Sequence, residues 1–174
     1  MTFLSGNNLL SAEICNDEAS AVKIELLVTE PFVRYELETG ESVFKGAVGV
    51  PHVIMLEKDL DALDVVQKGR WLRNHTLFRP AGANVDFVSW EGEGHPVRIR
   101  TYERGVEDET LACGTGCASA AVAGHLFLGF PEKLSILSRG EDIIEVEIIK
   151  ECNILKGVFL TGPAVAVFEG KLCE

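Results

Sequence analysis

The run Ala112-Cys113-Gly114-Thr115-Gly116 has residue types and spacing suited to chemistry. It leads straight into Gly116 to Leu128, a stretch without a charged residue that reads as a helix. A cysteine at that point sits beside a helix N-terminus. Unpaired N–H groups and the positive end of the helix dipole favour thiolate there, lowering the pKa from about 8.5. Cys113 is therefore expected to be the most reactive thiol. Gly114 and Gly116 leave backbone N–H groups open to an anion such as a carboxylate, and Thr115 adds a hydroxyl. The same residues could also form a glycine-rich turn around an inert, small apolar side chain. Spacing alone does not choose between the two.

Cys113 and Cys117 stand four apart, on one helix face, so a shared metal is geometrically open. Zinc sites usually add a second close Cys/His pair, and none is evident. Neither is a lysine suited to a Schiff base. The expectation is no metal and no cofactor, with Cys117 in the core and His125 buried with its helix. In Thr101-Tyr102-Glu103-Arg104-Gly105, Arg104 is a cation that could pair bidentately with a carboxylate, and Glu103 could accept an ammonium group. The plain alternative is a surface ion pair at a strand end. His52 and Asn84 are single polar residues flanking strands, a setting more often structural than functional.

The elements that must hold these residues are mostly strands. Period-two alternation marks Val22 to Val28, Phe32 to Leu37, Val43 to Val48 and Val53 to Leu56, split by Glu-Pro and Thr-Gly-Glu turns. Asp59 to Arg73 reads as a helix capped by Asp59 or Asp61. Val85 to Trp90 and Val97 to Tyr102 form a hairpin around Glu91-Gly92-Glu93-Gly94. Lys133 to Leu137, Ile143 to Ile149, Val158 to Leu160 and Val165 to Phe168 are strands again. The uncharged helix must be buried on all sides, and Gly129 with Pro131 stops it. A small-faced helix among many strands points to an α+β fold, a sheet curled around a central helix. An ordinary helix laid on a sheet face has the same periodicity.

The 174 residues carry 16 Lys+Arg against 27 Asp+Glu, net −11, with no basic run. That excludes a nucleic-acid or anionic-membrane surface. No apolar run reaches the roughly 18 to 20 residues of a spanning helix, and the start lacks the pattern of a signal peptide. Five cysteines at uneven spacing, Cys15, Cys113, Cys117, Cys152 and Cys173, point to free thiols in a reducing cytoplasm.

Taken together, four stretches resemble diaminopimelate epimerase in order and spacing. They are Asn84-Val85-Asp86-Phe87, Arg100-Thr101-Tyr102-Glu103-Arg104-Gly105, Glu109-Thr110-Leu111-Ala112-Cys113-Gly114-Thr115-Gly116 and Leu160-Thr161-Gly162-Pro163-Ala164. Gly49-Val50-Pro51-His52 is similar to the family's Gly-Asn-Pro-His. The resemblance covers residues 46 to 170. It implies a barrel of mostly antiparallel strands around a central buried helix, plus one further helix. It also implies cofactor-free inversion at the α-carbon of an amino acid, with one cysteine removing the proton and another returning it on the opposite face. By position Cys113 is one of the two. Gly114 and Thr115 supply carboxylate-binding N–H groups, and Asn84, Glu103 and Arg104 contact substrate. His52 matches a histidine near the site. Proline racemases and phenazine-type isomerases share the fold, so the substrate could differ.

Only the family's second half is matched. The first-half motifs with the partner cysteine are absent, and Val50 stands where the family has a substrate-binding Asn. Ala12-Glu13-Ile14-Cys15-Asn16 echoes the first-half motif without its glycines, and a strand followed by a turn is the expected reading there. Residues 1–45 are expected as poorly matched strands and 46–174 as the epimerase-like domain, the two together forming one unit. Three readings follow. The chain is half of an epimerase, or a non-catalytic homologue with an anion pocket, or a homodimer apposing two copies of Cys113.

Overall fold

Side chains alternate across a strand, and several strands here are apolar on both faces, so both faces need cover. The computed structural model describes residues 2–5, 8–15 and 20–171. It opens with a hairpin, β1 (Thr2–Ser5) and β2 (Asn8–Ile14), followed by β3 (Ala21–Glu36), β4 (Ser42–Val48) and β5 (Val50–Leu56). Then come α1 (Val65–Arg73), a 3-10 turn (Thr76–Phe78), β6 (Asn84–Ser89), β7 (Val97–Glu103) and β8 (Asp108–Thr110). The chain continues through α2 (Gly114–Ala123), which widens into a π turn (Gly124–Leu128), to β9 (Lys133–Leu137), β10 (Ile143–Glu151) and β11 (Ile154–Pro163).

Eight of these strands close a barrel in the order β3-β11-β10-β9-β7-β6-β5-β4 and back to β3. The β5/β6 and β7/β9 pairs are parallel. The other neighbours around the ring are antiparallel. Closure falls to β3, whose first half pairs with β11 and whose second half pairs with β4. The expected break at Glu30-Pro31 is instead a pair of register slips within this one strand. A bulge tolerates a proline that cannot donate to the ladder, and it bends the strand.

Helix α2 fills the barrel. Gly116 through Ala123 are all buried, packed with inward-facing Val48, Ile54, Val88, Ile99, Val146 and Val158. Small side chains let the helix fit inside so narrow a ring. The outward faces of β4 to β7 are covered by α1. Val43, Val53, Met55, Val85, Phe87 and Tyr102 form a second core with Val65, Leu72 and Phe78.

Three local expectations are corrected. α1 begins at Val65, capped by Asp64 through Gln67 N. Asp59 instead accepts from the Asp61 and Ala62 N–H groups, holding a turn that competes with helix. Val165 to Phe168 form no strand, since no neighbour among the described residues supplies a ladder, and Val165, Val167 and Phe168 are 81%, 83% and 87% exposed. His125 is only partly buried, because the π turn swings it outward to bond the Phe130 carbonyl. Among the described residues, no helix is long and apolar enough to cross a membrane.

Candidate active site

The strand register assembles the site. His52 on β5 lies opposite Asn84 on β6, and Asp86 on β6 lies opposite Thr101 on β7. All four side chains are buried polar groups, at the same level where α2 begins. A buried polar group without a partner costs stability, so their satisfaction has to be accounted for.

They satisfy one another. Asp86 Oδ2 lies 2.6 Å from His52 Nδ1, and Asp86 Oδ1 accepts from the Thr101 hydroxyl at 2.8 Å. The carboxylate therefore keeps the proton on Nδ1 and leaves Nε2 as the acceptor. Thr115 Oγ1 lies 3.0 Å from Nε2, and the Asn84 amide nitrogen lies 3.3 Å from it. The Thr115 oxygen is 3.5 Å from Cys113 Sγ. With the histidine tautomer set, the donors run in one direction, from the thiol to the threonine hydroxyl to the imidazole. Asn84 Oδ1 also accepts from the Arg104 backbone N–H at 2.8 Å, which pins the strand end carrying Glu103 and Arg104.

The expected low pKa of Cys113 is overturned. Burial raises it to about 11, with the negative charges of Asp86 and Glu103 adding to the rise. The Thr115 hydroxyl and the Gly116 N–H pull the other way and lose. The helix terminus favours thiolate, but this one opens inside a barrel that desolvates the sulfur beside a buried carboxylate. Cys117, one turn on, is fully buried, and its thiol is pushed up by the same burial.

Gly114 is exposed at the start of α2, with Thr115 half-buried behind it. Glu103 and Arg104 are half-buried at the same rim, where Arg104 Nη1 bonds the Ala81 and Gly82 carbonyls. Gly49, in the positive-φ turn before Val50, would place a Cβ 3.6 Å from Thr115 Cγ2, so the Val50 turn borders the site. Cys15 lies exposed after β2, its sulfur 3.8 Å from the Glu13 carbonyl, and is not part of the hydrogen-bonded cluster. Cys15, Cys113, Cys117 and Cys152 are free thiols, and Cys173 lies outside the described residues. Among the described residues, no group of three or more His, Cys, Asp and Glu could hold a metal. Sequence reasoning gave no role to Asp86 and Thr101. The available signal was an acidic residue inside the apolar run Val85-Asp86-Phe87-Val88.

Residues 44–167 match the family model described as diaminopimelate epimerase. The chain belongs to the diaminopimelate epimerase family. The family member from Aquifex aeolicus (strain VF5) is 41% identical over 128 residues, which are 72% of this chain and 44% of the relative. The member from Hydrogenobaculum sp. (strain Y04AAS1) is 42% identical over 143 residues, 79% of this chain and 50% of the relative. The chain thus spans about half the length of these curated relatives. Among solved structures, a hydroxyproline epimerase from Agrobacterium vitis with bound trans-4-hydroxy-L-proline superposes with TM-score 0.64 at 17% identity, covering 89% of this chain and 53% of that one. A Bacillus anthracis phenazine biosynthesis protein of the PhzF family gives TM-score 0.64 at 14% identity, covering 94% and 66%. These two share the fold of the diaminopimelate epimerase family member described here.

Proposed function

We propose that this chain supplies one half of a two-cysteine, cofactor-independent site that inverts the α-carbon of diaminopimelate, a step of lysine and peptidoglycan precursor synthesis in the cytoplasm. The carrying observation is the hydrogen-bonded run Asp86–His52–Thr115–Cys113 at the mouth of the barrel. Such a run gives the thiol proton a route to and from an imidazole whose tautomer is held. With its pKa at about 11, Cys113 stays protonated at neutral pH. In this reading it is the acid, returning a proton to the carbanionic α-carbon. The Gly114 and Thr115 N–H groups at the α2 terminus take the α-carboxylate, where negative charge develops. Arg104, Glu103 and Asn84 line the rim where the rest of a small amino acid would lie.

The base must act on the opposite face of the planar intermediate. Cys15 lies outside the cluster, so the second thiol is assigned to a partner: the missing half of the site, or a second copy bringing its own Cys113. Incubation with LL- or meso-diaminopimelate in D₂O tests this. The monomeric chain should give little α-deuterium uptake and no inversion, and activity should appear with a partner half or on dimerisation. Rapid inversion by a demonstrably monomeric sample would overturn the half-site reading. Loss of that inversion in Cys15→Ala would then make Cys15 the second thiol.

Val50 favours a second reading, since valine offers no polar contact at the rim. Under it the chain is a non-catalytic homologue that binds a small amino acid or another anion. Saturable binding of meso-diaminopimelate without α-deuterium uptake under any partner condition would select it.

A further inference from the structure

Away from the barrel mouth, a cavity of about 260 Å³ opens on the outer surface where β7 parts from β9. Its walls include Asp61, Arg98, Arg100, Ser138 and Arg139. Three guanidiniums at one spot are unusual in a chain of net charge −11. We propose that this cavity is a binding site for a phosphate group, carried by the free ion or by a small phosphate monoester.

The three arginines are not equally committed. Arg100 is tied down by two 2.7 Å bonds to Glu109 and by the Leu60 and Leu63 carbonyls, with both partners of the ion pair largely buried. It forms part of the wall. Arg98 grips Asp61 through two bonds, but that carboxylate keeps 75% of its side-chain surface in water. Arg139 has only a 3.7 Å approach to Glu109 and is 58% exposed. Exposed ion pairs of this kind contribute little, so exchanging one for a better anion costs little.

Asp61 already behaves as a stand-in for such an anion. Its carboxyl is held below the usual range first by the Arg98 hydrogen bond, with Arg100 and Arg139 adding their charges. All three guanidiniums therefore act on one oxyanion position. A phosphate dianion offers more acceptor oxygens than a carboxylate and suits several arginine forks at once. The second, independent observation is Ser138. It lines the cavity, is 5% exposed, and its hydroxyl has no hydrogen-bond partner among the described residues. Buried hydroxyls are normally satisfied, and this one would find an acceptor by rotating towards an oxygen of the bound phosphate. Glu141 also lines the cavity, and its negative charge opposes any anion there, so the three guanidiniums have to outweigh it.

The test is titration of the purified chain with inorganic phosphate and, separately, glycerol 3-phosphate. It is read by calorimetry and by the shift in Tm, with chloride at matched ionic strength as reference. Saturable binding of either is expected, and the tighter of the two identifies the source. Arg139→Ala should weaken it at least tenfold, and Asp61→Asn, which removes the internal competitor, should tighten it severalfold. Arg139 is too exposed for its loss to endanger the fold, so the result remains interpretable if Arg98→Ala fails to fold. Equal response to phosphate and chloride, or unchanged affinity in Arg139→Ala, would overturn the site. None of these readouts depends on epimerase activity.

Discussion

Cys113 sits between opposing influences. The α2 terminus, the Thr115 hydroxyl and the Gly116 N–H favour thiolate, while burial, Asp86 and Glu103 oppose it. The opposing set wins, and the consequence is measurable. Iodoacetamide at pH 8 should label exposed Cys15 and Cys152 ahead of Cys113, whose rate should climb only as the pH approaches 11. Asp86→Asn removes the nearest negative charge and should move that midpoint downward; an upward move would count against the electrostatic account. Stability has the same sign. The folded thiol has its pKa raised from 9.0, so the unfolded chain ionises first. The contribution is fully present below pH 9 and is lost as the pH rises from 9 through 11. It amounts to roughly 3 kcal/mol at most. Urea denaturation at pH 8 and pH 11 should show the loss, and Cys113→Ala should reduce it.

Helix α2 depends on having little on its surface where it meets the barrel wall. At Gly116 an added Cβ would lie 2.6 Å from Asp86 Oδ1, inside the polar cluster. At Gly114, two residues earlier, it would meet only Leu160 Cδ1, at 4.0 Å. The two substitutions should therefore part company. Gly116→Ala should cost about 1 to 3 kcal/mol through overpacking, with displacement of the His52–Asp86 pair. Gly114→Ala should be neutral, or stabilising by up to about 1 kcal/mol from helix propensity. Urea midpoints of the two variants decide the matter, and equal losses would show that the close approach at Gly116 is not the cause.

The barrel closes only through β3, which makes residues before 46 part of its wall. We propose that 1–45 and 46–174 form a single folding unit. β1 pairs with β2, and β2 pairs with β3, outside the ring of eight. Removing residues 1–19 should leave a cooperative unfolding transition with a modestly lower Tm. A chain starting at residue 46 would lack β3 and most of β4. It would leave the β5 and β11 edges unpaired and α2 partly uncovered, and should show no cooperative transition by circular dichroism. A cooperatively folding 46–174 fragment would show the division to be real.

Much of this was legible before any coordinates. Alternation located most of the strands, because one-face burial leaves a period of two in the residues themselves. The uncharged run after Cys113 announced a helix with no solvent side. The Cys-Gly-Thr-Gly and Glu-Arg-Gly stretches carried the family, because those residues are local in sequence. Tertiary structure decided what depends on distant neighbours. Whether Val165 to Phe168 is a strand depends on a partner strand, and none is in place among the described residues. Glu30-Pro31 looked like a break, but ladders on either side carry the strand through it. The Cys113 pKa followed burial and a carboxylate 27 positions away in the chain, and outweighed the helix end beside it. His52 and Asp86 became a pair only because parallel β5 and β6 set them at adjacent levels of one inward face. Sequence determines what each residue can do, but a hydrogen bond or a charge acts over a few ångströms, and the fold alone decides which residues come that close.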